Sequence, residues 1–150
     1  MKYSNLLVVL CAGFALAGSA VEAGAAQKGV THASAAKKMT QKVVFQVSDN
    51  DPRKWQLTLN NMKNLHAAMP DATIELVAYG PGIAMLDESS PVGEGVKAAL
   101  AGGVTVAACE NTMKALKLEK TDLLAGVSFV PAGVVELVQR QAEGYAYIRP

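Results

Sequence analysis

The sequence predicts an α/β sandwich built on a largely parallel sheet, and three observations carry that prediction. Between residues 42 and 148, short apolar runs of strand length alternate with helical patterns five times. Alternation of this kind marks βαβ units, whose strands lie parallel and whose crossovers are right-handed. The turn-forming, polar and reactive residues follow the strands, at 48–51, 80–82, 109–112 and 131–133. A parallel sheet gathers such segments along its carboxyl edge, where sites form in α/β proteins.

The elements follow in order. Lys42-Val43-Val44-Phe45-Gln46-Val47-Ser48 is a β-branched apolar run, the first strand. Asp51 then caps a helix with Pro52 at its first position. Trp55, Leu59, Met62, Leu65 and Met69 recur at three- and four-residue steps and give that helix one apolar stripe. Thr73–Tyr79 is the second strand, closed by the turn signal Gly80-Pro81-Gly82. A loop runs through Asp87-Glu88, and Ser90-Pro91 opens a helix with Val96, Ala99 and Leu100 on its apolar face and Gly102-Gly103 as its stop. Val104, Val106 and two alanines lead to Cys109, and a short helix starts at Asn111-Thr112. Val127–Val130 is the fourth strand, Pro131-Ala132-Gly133 a turn, Val134 to about Glu143 a helix, and Tyr145–Ile148 the terminal strand.

Before this domain, taken as 41–150, the sequence reads as a leader and an arm. Lys2 gives a positive n-region, Leu6–Leu16 an apolar h-region, and Gly18-Ser19-Ala20 an A-x-A-like cleavage site. Cleavage is expected after residue 20, with residue 26 as the latest point. Residues 21–40, rich in Ala and Gly, read as a flexible arm containing an isolated His32. The mature protein is therefore expected in the periplasm or outside the cell. The full chain carries 14 basic and 13 acidic residues, and losing Lys2 with the leader leaves 13 of each sign. A neutral chain without a basic run gives no footprint for nucleic acid or an anionic membrane surface. The leader also takes Cys11, leaving Cys109 as the single thiol. In an oxidising compartment such a cysteine is buried and inert, paired with another molecule, or reactive.

Cys109 is the leading candidate for chemistry. A thiol between a strand end and the first amides of a helix feels donors and a dipole that favour its thiolate. The competing reading is a small buried hydrophobe, since free cysteine is among the most buried residue types. Glu110 counts against reactivity, because an adjacent carboxylate raises a thiol's pKa unless it points away. His66 lies at the margin of the apolar stripe, and no second histidine or carboxylate is spaced to form a triad with it. One cysteine, one histidine in the ordered part and no clustered carboxylates make no metal-ligand set, and no cofactor is expected. Asn60, Asn61 and Asn64 are poor helix formers in a helix, so a loop, subunit or ligand contact is expected of them; Asn61 and Asn64 stand as supporting candidates. So do Gly80 and Gly82, whose turn lacks the spacing of a phosphate loop, the helix-start pair Asn111 and Thr112, and Pro131 and Gly133 at the next strand end. The two tyrosines near the C-terminus are expected to pack an edge or a subunit contact.

From Lys42 to Pro150 the chain resembles the DsrE/DsrF-like proteins, which include sulfur-relay subunits and the small YchN-type proteins. The resemblance is carried by Val43-Val44-Phe45-Gln46-Val47, Leu59-Asn60-Asn61-Met62-Lys63-Asn64, Val77-Ala78-Tyr79-Gly80-Pro81-Gly82, Val106-Ala107-Ala108-Cys109-Glu110-Asn111-Thr112, Val130-Pro131-Ala132-Gly133-Val134-Val135-Glu136 and Gly144-Tyr145-Ala146-Tyr147-Ile148-Arg149-Pro150. It implies a three-layer α/β/α sandwich with a five-stranded, mostly parallel sheet, assembled as a homotrimer or hexamer. It also implies that Cys109 occupies the strand-end position at which relay subunits carry sulfur as a persulfide and pass it to a partner's thiol. Two departures stand beside the match: the export signal, since relay subunits are cytoplasmic, and the acidic residue after the cysteine. The alternative is a non-catalytic oligomeric module with a buried structural cysteine and a small-ligand pocket.

Overall fold

The computed structural model describes residues 40–150. The expected leader with Cys11, and the arm with His32 up to residue 39, lie outside the described residues. The five strands are β1 Lys42–Val47, β2 Thr73–Ala78, β3 Thr105–Cys109, β4 Ser128–Val130 and β5 Ala146–Ile148. Between them run α1 Pro52–Ala68, α2 Gly93–Ala101, α3 Glu110–Leu116 and α4 Gly133–Ala142. All pairings are parallel, in the order β4-β3-β2-β1-β5.

That order assigns each helix to a face. From β1 to β4 the chain moves one strand at a time in one direction, so right-handed crossovers keep α1, α2 and α3 on the same side. The connection from β4 to β5 returns across the whole sheet, and the same handedness carries α4 over the opposite side. Burial agrees with this. On the first face Val43, Phe45, Val47, Leu76, Ala78, Val106 and Ala108 pack with Trp55, Leu59 and Met62 of α1, Val96 of α2 and Met113 of α3. On the second, Val44, Val77 and Ala107 meet Leu137 of α4, with Tyr79, Val130 and Tyr145 at the margin.

Local chemistry sets most boundaries. Asp51 caps α1, its carboxylate accepting the Arg53 N–H at 2.9 Å, and Pro52 is the first helical residue. The α1 stripe extends to Thr58, fully buried because its hydroxyl donates to the Lys54 carbonyl at 2.8 Å. At the other end the predicted stripe stops short: Met69 is the C-cap and is exposed.

Two predicted boundaries move. After β2 the sequence predicts a turn and loop, whereas Gly80–Leu86 forms a 3-10 helix that buries Ile83, Met85 and Leu86 completely. Gly82 makes this possible: a Cβ there would lie 2.5 Å from the Val47 carbonyl oxygen. The helix predicted to open at Ser90-Pro91 begins instead at Gly93, with Val92 as its cap. Ser90 and Pro91 form the preceding turn, in which the Gly93 N–H donates to the Ser90 carbonyl at 2.9 Å.

Candidate functional site

Cys109 is the last residue of β3, and strand alternation puts its side chain beside Ala107 on the α4 face. The connection leaving β3 turns to the first face through α3, while the one leaving β4 turns to the second through α4. The carboxyl ends of β3 and β4 are thus a topological switch point, where an open α/β sheet leaves a crevice. The register places Cys109 opposite Val130 at that point.

Two helix N-termini converge there. Burial alone pushes the Cys109 thiol up, but the Thr112 hydroxyl and the N–H groups of Gly133, Thr112 and Asn111 face the sulfur as donors, and the balance lies below the ordinary thiol value. Thr112 is itself held in place, its Oγ1 accepting the Gly80 N–H at 2.9 Å. Gly80 adopts φ +53°, the left-handed conformation that glycine tolerates. The main hydrogen bond of the Asn111 N–H goes to the Pro131 carbonyl at 3.2 Å, which ties α3 to the β4–α4 turn. Of the predicted supporting residues, Asn111, Thr112 and Gly133 face the thiol, Gly80 and Pro131 act one step away by bonding to Thr112 and Asn111, and Gly82 seats the 3-10 helix against β1.

Other expectations resolve differently. Glu110 does not turn its charge on the thiol: its carboxylate pairs with Lys120 Nζ at 3.4 Å, and that ammonium lies over the Phe129 ring, 4.4 Å from its centroid. Asn61, Asn64 and His66 lie on α1, which covers the first face, so the structure does not bring them to a thiol on the second. His66 and Asn60 line a separate cleft between α1 and α2. Asn60 is occupied locally, its Oδ1 accepting from Gln56 Nε2 at 3.1 Å. Among the described residues, no group of three or more His, Cys, Asp or Glu side chains is placed to hold a metal ion. None of the described helices is long and apolar enough to cross a membrane.

Sequence reasoning missed two features of this face. Tyr79 follows β2 and packs half-buried beside Gly133; a Cβ on that glycine would lie 2.9 Å from the Tyr79 Cβ. Only the strand register reveals it: Tyr79 is one step beyond the Ala78–Ala108 pair and so stands level with Cys109. The second is Glu75, in the middle of the sheet and 2 % exposed. Its Oε2 forms an ion pair with Arg140 Nε that is not aligned as a hydrogen bond, and its Oε1 has no hydrogen-bond partner. Burial pushes the Glu75 carboxyl up, the Arg140 charge opposes this and Glu136 adds to it, leaving it above the usual carboxylate range. Arg140 also reaches Glu136 at 2.8 Å and Glu143 at 3.0 Å.

On the first-face side of Thr112 lies an apolar cleft of ≈ 610 Å³ between the 3-10 helix and α3. Pro81, Ile83, Ala115 and Leu116 are among its walls, together with Asn111 and Thr112.

Comparison with known proteins gives a consistent picture. The profile described as the DsrE/DsrF-like family matches residues 14–150. No curated protein gives a significant match. Among solved structures, a protein of unknown function, MTH1491 from Methanobacterium thermoautotrophicum, is 39% identical, with 73% of this chain and 99% of that one covered and a TM-score of 0.71. The ychN protein of E. coli shares the fold at 16% identity, covering 75% of this chain and 100% of its own, with a TM-score of 0.62. BT1422 of Bacteroides thetaiotaomicron, of unknown function, does so at 13% identity, with coverage of 73% and 95% and a TM-score of 0.62.

Proposed function

The chain belongs to the DsrE/DsrF-like family, and on that premise we propose that Cys109 binds or transfers sulfane sulfur as a persulfide. The observation that carries the reading is the thiol's setting at the switch point, where the Thr112 hydroxyl and the Gly133 and Thr112 amides favour its anion. A thiolate is the attacking species in such chemistry. Cys109 Sγ attacks the terminal sulfur of an inorganic polysulfide. A new Sγ–S bond forms as the donor's terminal S–S bond breaks, and its electron pair leaves on the shortened polysulfide dianion. No net oxidant is consumed, and the negative charge passes to the terminal sulfur of the persulfide. Transfer repeats the step in reverse, with an acceptor thiolate as the nucleophile. The protein acts in this reading as a sulfur carrier or sulfurtransferase in sulfur metabolism or thiol redox.

The proposal extends to a homo-oligomer, trimer or hexamer, of an exported protein. The α4 side chains Val134, Val135 and Val138, exposed with Tyr147 of β5, support self-association, and the leader-like pattern of residues 1–20 supports export. The decisive experiment is intact mass after incubation with polysulfide. We expect a gain of one or more sulfur atoms that dithiothreitol removes and that Cys109→Ala lacks. An unchanged mass, with the thiol shown intact after denaturation, overturns the reading and leaves the structural module.

A further inference from the structure

Cys109 is only 5 % exposed although it ends a strand at an open sheet edge. The sheet register places one bulky side chain of the α4 face beside it. Tyr79 keeps the extended conformation of β2 (φ −152°, ψ 171°), and its N–H continues the ladder to the Val47 carbonyl at 3.1 Å. Adjacent parallel strands stand about 4.8 Å apart, and residues in register share a face. With Ala78 opposite Ala108, Tyr79 therefore stands beside Cys109, its side chain on the same face as Val77 and Ala107.

A second contact fixes the ring. A Cβ added to Gly133 would meet Tyr79 Cβ at 2.9 Å, Cδ1 at 3.1 Å and Cγ at 3.2 Å. The ring thus lies against the residue whose N–H faces the thiol. Glycine at the first position of α4 lets an aromatic side chain and a sulfur-directed amide occupy the same corner.

We propose that Tyr79 is the specificity-determining gate of the Cys109 site, its ring admitting slim, unbranched sulfur donors such as the end of a polysulfide and holding back bulky aryl disulfides. This rests on the reading of Cys109 as a reactive thiol and adds what limits its reactants. The ring acts by occupying space, so its hydroxyl is dispensable and its bulk is not.

The test is the rate of Cys109 alkylation by a small reagent, iodoacetamide, and a bulky one, N-(1-pyrenyl)maleimide, each normalised to its rate with free cysteine. Tyr79→Ala is expected to raise the bulky-to-small ratio about tenfold, the scale on which a pocket's shape discriminates between ligands differing by a small apolar group. Tyr79→Phe is expected to leave the ratio at the wild-type value. Tyr79→Leu replaces the alanine variant if the latter does not melt cooperatively. A ratio that stays within about twofold of wild type in the truncated variant overturns the gate, as does a thiol that neither reagent reaches in any form. Polysulfide loading by mass is read separately. Sulfur that fails to load while the ratio still changes removes the persulfide reading and leaves the gate; sulfur that loads with an unchanged ratio does the opposite.

Discussion

The two faces of the sheet are made from the same strands, alternate residue by alternate residue, yet they are packed in unlike ways. The first is covered by α1, α2, part of α3 and the 3-10 helix, and its buried side chains are apolar almost throughout. Among the described residues the second is covered by one helix, α4, and its buried or half-buried groups include Gln46, Glu75, Tyr79 and Cys109. There Tyr147 Oη donates to Gln46 Oε1, and Gln46 Nε2 donates to Ser48 Oγ at 3.1 Å. The difference teaches a division of labour. A face sealed by several elements can be filled with close-packed hydrocarbon and supplies stability. Under one helix the chain keeps polar and ionisable groups: Glu75 beneath α4, paired with Arg140, and Cys109 at the first turn of α4.

The largest effect that breaks this contrast comes from the first face. Phe45→Ala empties a fully buried site and should cost about 3–5 kcal/mol, measured as the loss in free energy of urea unfolding. The alkylation midpoint of Cys109 should stay where it was in whatever fraction remains folded. A large shift in that midpoint would mean that the faces are not separable.

A smaller effect sharpens the second face. Thr112→Val removes the hydroxyl donor to the thiol and the acceptor of the Gly80 N–H. We expect a loss of about 1–2 kcal/mol and an upward move of the pH midpoint for Cys109 alkylation. The sign follows from linkage. The folded thiol titrates below its unfolded value, so its contribution to stability is present above the unfolded value and is lost as pH falls through the folded one. The threonine variant should narrow that window, and a midpoint that does not rise would remove the hydroxyl from the account.

The smallest effect concerns Glu75. Its folded carboxyl is raised above the ordinary value, chiefly by burial, so its favourable contribution is complete below the unfolded value and is lost as pH rises through the folded one. Glu75→Gln cannot ionise, and Arg140 retains Glu136 and Glu143. Its unfolding free energy relative to wild type, measured by urea titration, should therefore improve from pH 4 to pH 8, by an amount on the order of 1 kcal/mol. A relative stability that instead falls over that range would show the Glu75–Arg140 pair to be a net stabiliser.

Much of the scaffold was legible. The runs at Val43–Val47 and Ile74–Ala78, the Asp51-Pro52 cap and the stop at Gly102 are local signals, and the structure uses each of them. Cys109 at the end of a strand, with a helix starting at once, was equally local. The 3-10 helix was not: Gly80-Pro81-Gly82 is a turn signal, the i,i+3 pair Ile83 and Leu86 is too short a run to declare a helix, and the segment can be buried because Gly82 lets the chain approach β1. The amide chemistry of Asn61 and Asn64 points to a contact, but the face on which α1 lies depends on the direction of the crossover. Glu75 read as one polar residue in an apolar strand, and nothing nearby in sequence says that α4 will lie across it.

What the sequence by itself determined is therefore the set of elements, their caps and the strand-end position of Cys109, since hydrophobic period, turn residues and capping act over a few residues. Only the tertiary structure decided that β3 and β4 are neighbours whose connections leave to opposite faces. That places Thr112, Gly133 and Tyr79 around one sulfur, separates His66 from it and buries Glu75 under Arg140. Strand order is a pairing between segments far apart in the chain, selected by the joint burial of both sheet faces, and no local pattern encodes it.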